Sequence, residues 1–253
     1  MIKEELYYDS RDEKSRLHGV RYIPEDKDSI RCIVQIVHGM AEYIERYEEF
    51  AEFLTARGCV VIGEDHMGHG KSVGKYGKYG YFCEQDPATV LVRDVHRLKK
   101  ATVELYPNVP YVIVGHSMGS FIVRNYMFRY GKGIDAAVIM GTGMPRKAVL
   151  VISRTLAAVQ RILLGAGKKG KLLDKLAFGS YNRHIQNPKT PFDWLSREGE
   201  RVKQYMEDPM CGFVFTINGF ETLFELISRL YHAENLERIP KKMPVFLLSG
   251  DDD

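Results

Sequence analysis

The 253-residue sequence predicts an α/β domain built on a mostly parallel sheet with helices on both faces. Two observations lead to this prediction. Short apolar runs alternate regularly with longer segments of helical periodicity along the first half of the chain. Residues 144–242 then separate two strands that a simple crossover would join with far fewer residues, which indicates an inserted helical cap.

Each element of the predicted core follows from its local pattern. Residues 5–8 and 19–23 predict a short antiparallel pair, and the apolar run 30–37 begins the parallel sheet. The later elements are a helix at 43–57, a strand at 60–63, a helix at 89–105, a strand at 111–114, a helix at 121–130, and strands at 136–140 and 245–248.

The predicted organisation is a core interrupted by the cap. The first part of the core covers 1–143, the cap covers 144–242 with its last part able to rejoin the core, and 243–253 holds the last strand and the loop after it. The cap opens with an apolar helix at 149–164, then a basic turn and a second helix at 172–178. Packing on neighbouring helices is the plainest interpretation of the first helix; the alternatives are an acyl-chain groove and a docking surface for anionic lipid.

Composition limits the classes of partner. The 36 basic and 33 acidic residues give a net charge of +3, too balanced to indicate nucleic acid as the main partner. The four cysteines, at positions 32, 59, 83 and 211, show no paired short spacing, so reduced thiols and a cytoplasmic location are expected. The sequence starts without the apolar stretch of a signal peptide, and no apolar run is long enough to cross a bilayer.

A serine marks the turn between the predicted third parallel strand and the next helix, within Gly115-His116-Ser117-Met118-Gly119. A serine hydroxyl becomes a useful nucleophile when it is exposed, faces a base and lies beside hydrogen-bond donors for an oxyanion. The two glycines leave room for a strained turn and for close packing of helix on strand. The pattern is that of a nucleophile elbow, with Ser117 at its apex and the Met118 amide facing the reaction centre.

A second motif, His38-Gly39-Met40, directly follows the first long strand. Its loop can bring the Met40 amide opposite Met118, so the two amides would form an oxyanion hole. The alternative is that His38 and Gly39 only shape a tight exit from the strand.

Together these motifs make the chain similar to the monoacylglycerol lipase and lysophospholipase group of α/β-hydrolases, which is also grouped with the serine aminopeptidase-like hydrolases. The resemblance covers essentially the whole chain and rests on residues 38–40, 42, 46–47, 65–72, 115–119 and 250–253. It implies that 65–72 is a structural loop supporting the floor of the active site. A metal site formed by Asp65, His66 and His69 is the competing interpretation, but no further ligand set is evident.

The resemblance also implies an acid after one of the last strands. Residues 141–143 offer no carboxylate, whereas the strand at 245–248 is followed by Asp251, Asp252 and Asp253. By resemblance Asp253 orients the catalytic histidine, with the other two as fallback choices and a simple acidic turn as the alternative.

The base should be a histidine that follows the acid, and no histidine follows Asp253. His232 lies between the cap and the last strand, in the amphipathic segment 221–236, where a surface or packing role is expected. A final strand and helix would also be expected, because without them a sheet edge and an apolar face lie bare. The sequence therefore predicts a piece of a longer polypeptide that is inactive alone.

The expected activity is that of a serine esterase acting on a small-molecule acyl ester, above all monoacylglycerol or lysophospholipid, without metal or organic cofactor. Contact with a membrane surface through the cap is a further expectation. The alternatives are a small-ester esterase, an aminopeptidase-like hydrolase, and a non-catalytic acyl-ligand binding module that lacks the base. An aminopeptidase needs acidic groups for the substrate ammonium, and four cap carboxylates offer themselves, although a solvated helix face explains them more simply: Glu198, Glu200, Glu207 and Asp208.

Overall fold

The computed structural model describes residues 1–74 and 77–250. Within them lies a seven-stranded sheet of order β1-β2-β4-β3-β5-β6-β7. The strands are β1 (Ile2–Asp9), β2 (Arg16–Ile23), β3 (Cys32–Val37), β4 (Cys59–Glu64), β5 (Tyr111–His116), β6 (Ala136–Met140) and β7 (Val245–Leu248).

The sheet is mostly parallel, as predicted. The first two strands form an antiparallel hairpin whose second strand pairs antiparallel with β4, and β3 to β7 are parallel to one another. Buried β-branched side chains fill the central strands, which is typical of a parallel sheet covered on both faces. The predicted strands are confirmed, and the hairpin is longer than its pattern indicated.

Helices lie on both faces of the sheet. Their bounds are α1 (Glu48–Thr55), α2 (Pro87–Leu105), α3 (Met118–Tyr130), α4 (Lys147–Leu164), α5 (Lys171–Phe178), α6 (Gly199–Glu207), α7 (Ile217–Arg229) and α8 (Ala233–Glu237). The helix predicted at 43–57 is a short 3-10 helix, Ile44–Tyr47, followed by α1. The segment 221–236 is also interrupted, since α7 ends at Arg229 and α8 starts again at Ala233.

The core has two parts, one on each face of the sheet. Ile33, Val60 and Ile113 belong to the larger part, with residues of α2, α3 and α7. Their strand neighbours, such as Val34 and Val61, turn to the opposite face and pack with α1. Because β3 and β5 are parallel neighbours within this core, their carboxyl ends lie side by side.

The inserted region is only partly separate from the core. Helix α7 packs against α2, α3 and α4, and Leu226 and Ile227 are buried in the larger core cluster. Helix α4 buries Leu150 and Ala157, whereas much of its apolar surface is exposed, including Ile162 at 84%. No helix in the described part of the chain has the length and apolar character needed to span a bilayer.

Candidate active site

Ser117 occupies a strained turn at the carboxyl end of β5. Its backbone has φ 51° and ψ −118°, a region that non-glycine residues rarely adopt, and α3 starts at the next residue. The Ser117 amide donates to the Met140 carbonyl of β6 at 2.9 Å, and the Ser120 hydroxyl donates to the Ser117 carbonyl at 2.5 Å. These two bonds fix the turn from both sides, which is the arrangement expected of a nucleophile elbow.

The two glycines of the motif are required by close approaches of the backbone. A Cβ on Gly119 would lie 1.9 Å from the Val37 carbonyl oxygen, and one on Gly115 would lie 2.6 Å from the Gly119 carbonyl oxygen. Helix α3 can therefore pack onto β3 and β5 at this distance only because neither position has a side chain.

The His38-Gly39-Met40 loop lies beside the elbow. Strands β3 and β5 are parallel neighbours in which Val37 pairs with Gly115, so the loops that follow them emerge at the same edge of the sheet. A Cβ on Gly39 would lie 3.2 Å from the Ser117 Cβ. The structure thus brings together the two motifs that the sequence analysis singled out, residues 38–40 and 115–119.

The hydrogen bonds of Gly39 determine which amide of this loop is available. The Gly39 N–H donates to Glu42 Oε1 at 2.6 Å. On its other side, the Gly39 carbonyl lies 2.8 Å from His38 Nδ1. Since His38 Nε2 accepts the His66 amide at 3.0 Å, the proton of this neutral ring is on Nδ1 and is donated to Gly39. The peptide is trans, so the Met40 N–H points away from His38.

Met118, the first residue of α3, is the other predicted oxyanion donor. The first amides of a helix have no acceptor within the helix, and the helix dipole favours negative charge at this end. Met118 is buried and Met40 is half-buried, so an oxyanion held between their amides would be partly shielded from water.

Glu42 is the centre of a hydrogen-bond network that no sequence motif predicted. Its Oε1 accepts the Tyr47 hydroxyl at 2.8 Å and lies 3.0 Å from His116 Nδ1, in addition to the Gly39 amide. Burial alone would raise the pKa of Glu42, but the bonds from His116 and Tyr47 and the charge of Arg46 lower it below the ordinary value. The network ties the loop of residues 38–40 to His116, the residue that precedes Ser117.

Three histidines of the motif loops, His38, His66 and His69, are fully buried. Burial and the neighbouring His66 hold the pKa of His38 well below its usual range, and burial lowers the pKa of His66 to about 4 and that of His69 to about 3. Asp65 does not form a ligand set with them, because its carboxylate accepts the Ile44 and Lys71 amides at 2.9 Å and lies 2.8 Å from His18 Nδ1. These contacts hold the 65–72 loop as a packed turn.

Other histidines lie elsewhere. His96 stacks on Tyr130, with ring centroids 3.8 Å apart. His232 is exposed at the start of α8, with its Nδ1 3.3 Å from Glu234. Both positions suit structural or surface roles.

The predicted acid, Asp253, lies outside the described residues, as do Asp251 and Asp252. Strand β7 runs parallel to β6, and the Gly141 amide donates to the Leu248 carbonyl at 3.0 Å. The chain therefore leaves β7 at the edge of the sheet where Ser117 lies. Thr142, after β6, accepts a hydrogen bond from Arg124 at 3.2 Å, and its hydroxyl oxygen lies 2.8 Å from Ser120 Oγ.

Residues of the inserted region bond directly to Ala41, which follows the His38-Gly39-Met40 loop, a link that the sequence did not reveal. Ala41 has φ 54°, and its carbonyl accepts the Tyr205 hydroxyl at 3.0 Å and the Gly212 amide at 3.1 Å. Nearby, the Tyr43 hydroxyl donates to Asp208 at 2.7 Å, so this cap carboxylate is already engaged. The left-handed turn at Ala41 is thereby held from the cap side.

The fold and this site together define an α/β-hydrolase. The fold matches that of a thermostable carboxyl esterase from Bacillus coagulans with a TM-score of 0.86 and 29% identity, over 97% of this chain and 78% of the esterase. The sequence matches the family described as Serine aminopeptidase, S33, over residues 28–253, and the chain belongs to that family.

Two relatives within this similarity are named as monoglyceride lipases or their homologs. A monoglyceride lipase homolog of Monkeypox virus is 37% identical over 232 residues, which are 88% of this chain and 71% of the relative. A monoacylglycerol lipase of Mycolicibacterium smegmatis is 33% identical over 180 residues, or 71% of this chain. The match spans only 56% of that lipase's length.

Proposed function

We propose that the chain is the nucleophile-bearing part of a serine hydrolase that cleaves carboxylic esters of single-chain lipids. The observation that carries the proposal is the strained backbone of Ser117 at the end of β5. Beside it lies a loop in which the Gly39 N–H is bonded to Glu42 and the Met40 N–H points away from His38. Donors placed in advance at the position of a developing oxyanion are the largest single source of rate in acyl transfer.

In the proposed reaction, Ser117 Oγ attacks the ester carbonyl carbon as a histidine accepts its proton. The carbonyl oxygen becomes an oxyanion that the Met40 and Met118 amides stabilise. Collapse breaks the bond to the alcohol, which leaves with the proton from the imidazolium. Water, activated by the same histidine, then attacks the acyl-enzyme, and the fatty acid and free Ser117 are released.

The histidine of this scheme is proposed to come from outside residues 1–253, with Asp253 orienting it. This part of the proposal is supported by the positions of the motif histidines: His38 and His66 are fully buried, and His116 Nδ1 faces Glu42. The 253-residue chain alone is therefore expected not to hydrolyse esters by this route.

A lipid substrate is favoured over a peptide for two reasons. Of the two relatives described above, one is named monoacylglycerol lipase and the other monoglyceride lipase homolog. In addition, the cap offers apolar surface rather than a buried acidic site: Asp208 is bonded to Tyr43, and Glu198 is 76% exposed. A substrate ammonium would find little desolvated negative charge among these groups.

Hydrolysis assays on the full product of the gene test the proposal. The substrates are monoacylglycerols and lysophosphatidylcholines of increasing chain length, short chromogenic esters, and amino-acid amides, with Ser117→Ala as the control. Ser117-dependent activity that rises with acyl length supports the proposal. Activity confined to short esters or amides contradicts the substrate class, and lipid binding without hydrolysis favours a binding module.

The exposed face of α4 supports a further element, contact with a lipid surface. Ile162 and Leu163 are 84% and 74% exposed, and the exposed Lys168, Lys171 and Lys175 follow close behind in the chain. An apolar face with adjacent basic groups suits the interface of an anionic bilayer.

Vesicle sedimentation measures this contact. We expect binding to vesicles containing anionic phospholipid, weaker binding to purely zwitterionic vesicles, and a large loss in the Ile162→Glu/Leu163→Glu variant. Leu105→Glu is the matched control, because Leu105 is 58% exposed at the end of α2. Equal loss in both variants, or no binding by the native chain, would contradict a docking role for α4.

A further inference from the structure

Two cysteines are neighbours at the amino-terminal ends of two central strands of the sheet. Cys32 is the first residue of β3 and Cys59 the first residue of β4, and the two are register partners in this parallel pair. Register partners in a parallel pair project to the same face. Their Sγ atoms are 2.8 Å apart in a thiol–thiol hydrogen bond, and the two cysteines are not joined by a disulfide.

The backbone geometry suits a covalent link. Neighbouring strands are about 4.8 Å apart, which lies inside the range of about 4.4–6.8 Å between Cα atoms of disulfide-bonded cysteines. A bond between Cys32 and Cys59 would therefore need little movement of either strand. Cys32 is half-buried whereas Cys59 is buried, so a small reagent reaches Cys32 first.

We propose that Cys32 and Cys59 form an oxidative modification site, at which a low-molecular-weight disulfide such as oxidised glutathione converts the two thiols into an intrachain disulfide. The Cys32 thiolate attacks one sulfur of the reagent, which forms a mixed disulfide and expels one thiol. The Cys59 thiolate then attacks Cys32 Sγ and expels the second thiol. Two protons leave the protein, the cysteines are oxidised, and the reagent is reduced to two thiols.

The surroundings of the two cysteines determine how fast they exchange with the reagent and how the disulfide changes the stability of the fold. Burial, together with the neighbouring Cys59, raises the pKa of Cys32, so little thiolate is present at neutral pH and the exchange should accelerate as pH rises. The link would join the amino-terminal ends of β3 and β4, whereas Ser117 lies at the carboxyl-end edge of the sheet. It would close a loop in the unfolded chain, so oxidation should raise the melting temperature.

The other two cysteines provide an internal control. Cys83 Sγ lies 3.4 Å from the Gln85 carbonyl oxygen, and Cys211 Sγ lies 3.7 Å from an Arg46 nitrogen. Neither contact is with another sulfur, so these thiols should not enter an intrachain link while the protein is folded.

The experiment is incubation of the folded chain with oxidised glutathione at about pH 8.5, near the ordinary cysteine pKa, followed by alkylation and non-reducing peptide mapping. We expect one Cys32–Cys59 linked peptide, reversal by a reducing agent, and a higher melting temperature than that of the reduced chain. Cys32→Ser should abolish the link. The proposal is overturned if both thiols stay free, if Cys83 or Cys211 is linked equally, or if the linked chain melts no higher than the reduced one.

Discussion

Replacement of Glu42 by glutamine tests whether one buried carboxylate holds the loop of residues 38–40 in place. Glu42 Oε1 accepts from the Gly39 amide and the Tyr47 hydroxyl and contacts His116 Nδ1, at 2.6, 2.8 and 3.0 Å. Glu42→Gln keeps the shape and one carbonyl oxygen but removes the charge. It also places an amide NH2 toward Arg46, which lies 4.0 Å from Oε2.

The size of the effect follows from these contacts. A hydrogen bond to a charged group contributes about 1.5–3 kcal/mol and a neutral one about 0.5–1.5, so three weakened bonds lose about 3 kcal/mol. Relief from burying the charge offsets part of this loss, which leaves a destabilisation of about 2 kcal/mol. For a chain of this length the melting temperature should fall by about 4–8 °C.

Urea and thermal unfolding of the two forms at neutral pH measure the difference. Glu48→Gln is the matched control, because the Glu48 pair with Lys3 at 2.8 Å is on the surface and should change stability by less than about 1 kcal/mol. The folded-state pKa of Glu42 is lowered, so its contribution is present above the ordinary glutamate pKa and is lost as pH falls through the folded value. Equal stability of native and Glu42→Gln chains at neutral pH would refute the reasoning.

Three further predictions follow from individual contacts. Gly119→Ala should destabilise the fold by more than about 3 kcal/mol, because its Cβ would meet the Val37 carbonyl at 1.9 Å, whereas Gly199→Ala, with open space around it, should be neutral or slightly stabilising in urea unfolding. Burial and neighbouring Glu64 raise the pKa of Asp94 in the folded state. Its contribution to stability is therefore greatest below the ordinary carboxyl pKa of about 4 and is lost as pH rises through the folded-state pKa. In unfolding measured across pH, Asp94→Asn should flatten this loss of stability. Tyr205→Phe removes the hydroxyl held by the Ala41 carbonyl and should lower kcat of the full gene product by about tenfold with KM little changed, which steady-state kinetics would show.

Much of the fold could be predicted from the sequence because its signals are local. The runs that became β3, β4 and β5 are apolar and β-branched, and the glycines at 115 and 119 flank a serine at a strand-to-helix turn. Helix ends were less certain, because they depend on capping and on 3-10 turns that periodicity does not show. The segment at 43–57 illustrates this, since only its second half is α-helix.

The candidate site could be predicted only in part, because some of its contacts are local in sequence and others are not. The elbow and the Gly39 loop are contiguous motifs, whereas the Glu42 network joins residues up to 74 positions apart and the bond from Tyr205 to Ala41 joins residues 164 positions apart. Such contacts depend on tertiary packing, and a single sequence carries no pattern for them. The Cys32–Cys59 pair was hidden likewise, because only the register of β3 against β4 brings the two thiols together.

The central claim is that Ser117 is an activated nucleophile once a histidine is supplied, and fluorophosphonate labelling with peptide mapping tests it most directly. The measurement compares the 253-residue chain, the full product of the gene, and Ser117→Ala in that product. We predict that the full product is labelled on Ser117 alone, that the alanine variant is unlabelled, and that the 253-residue chain is labelled weakly or not at all. Labelling of the full product on another residue, or none on Ser117, would contradict the account.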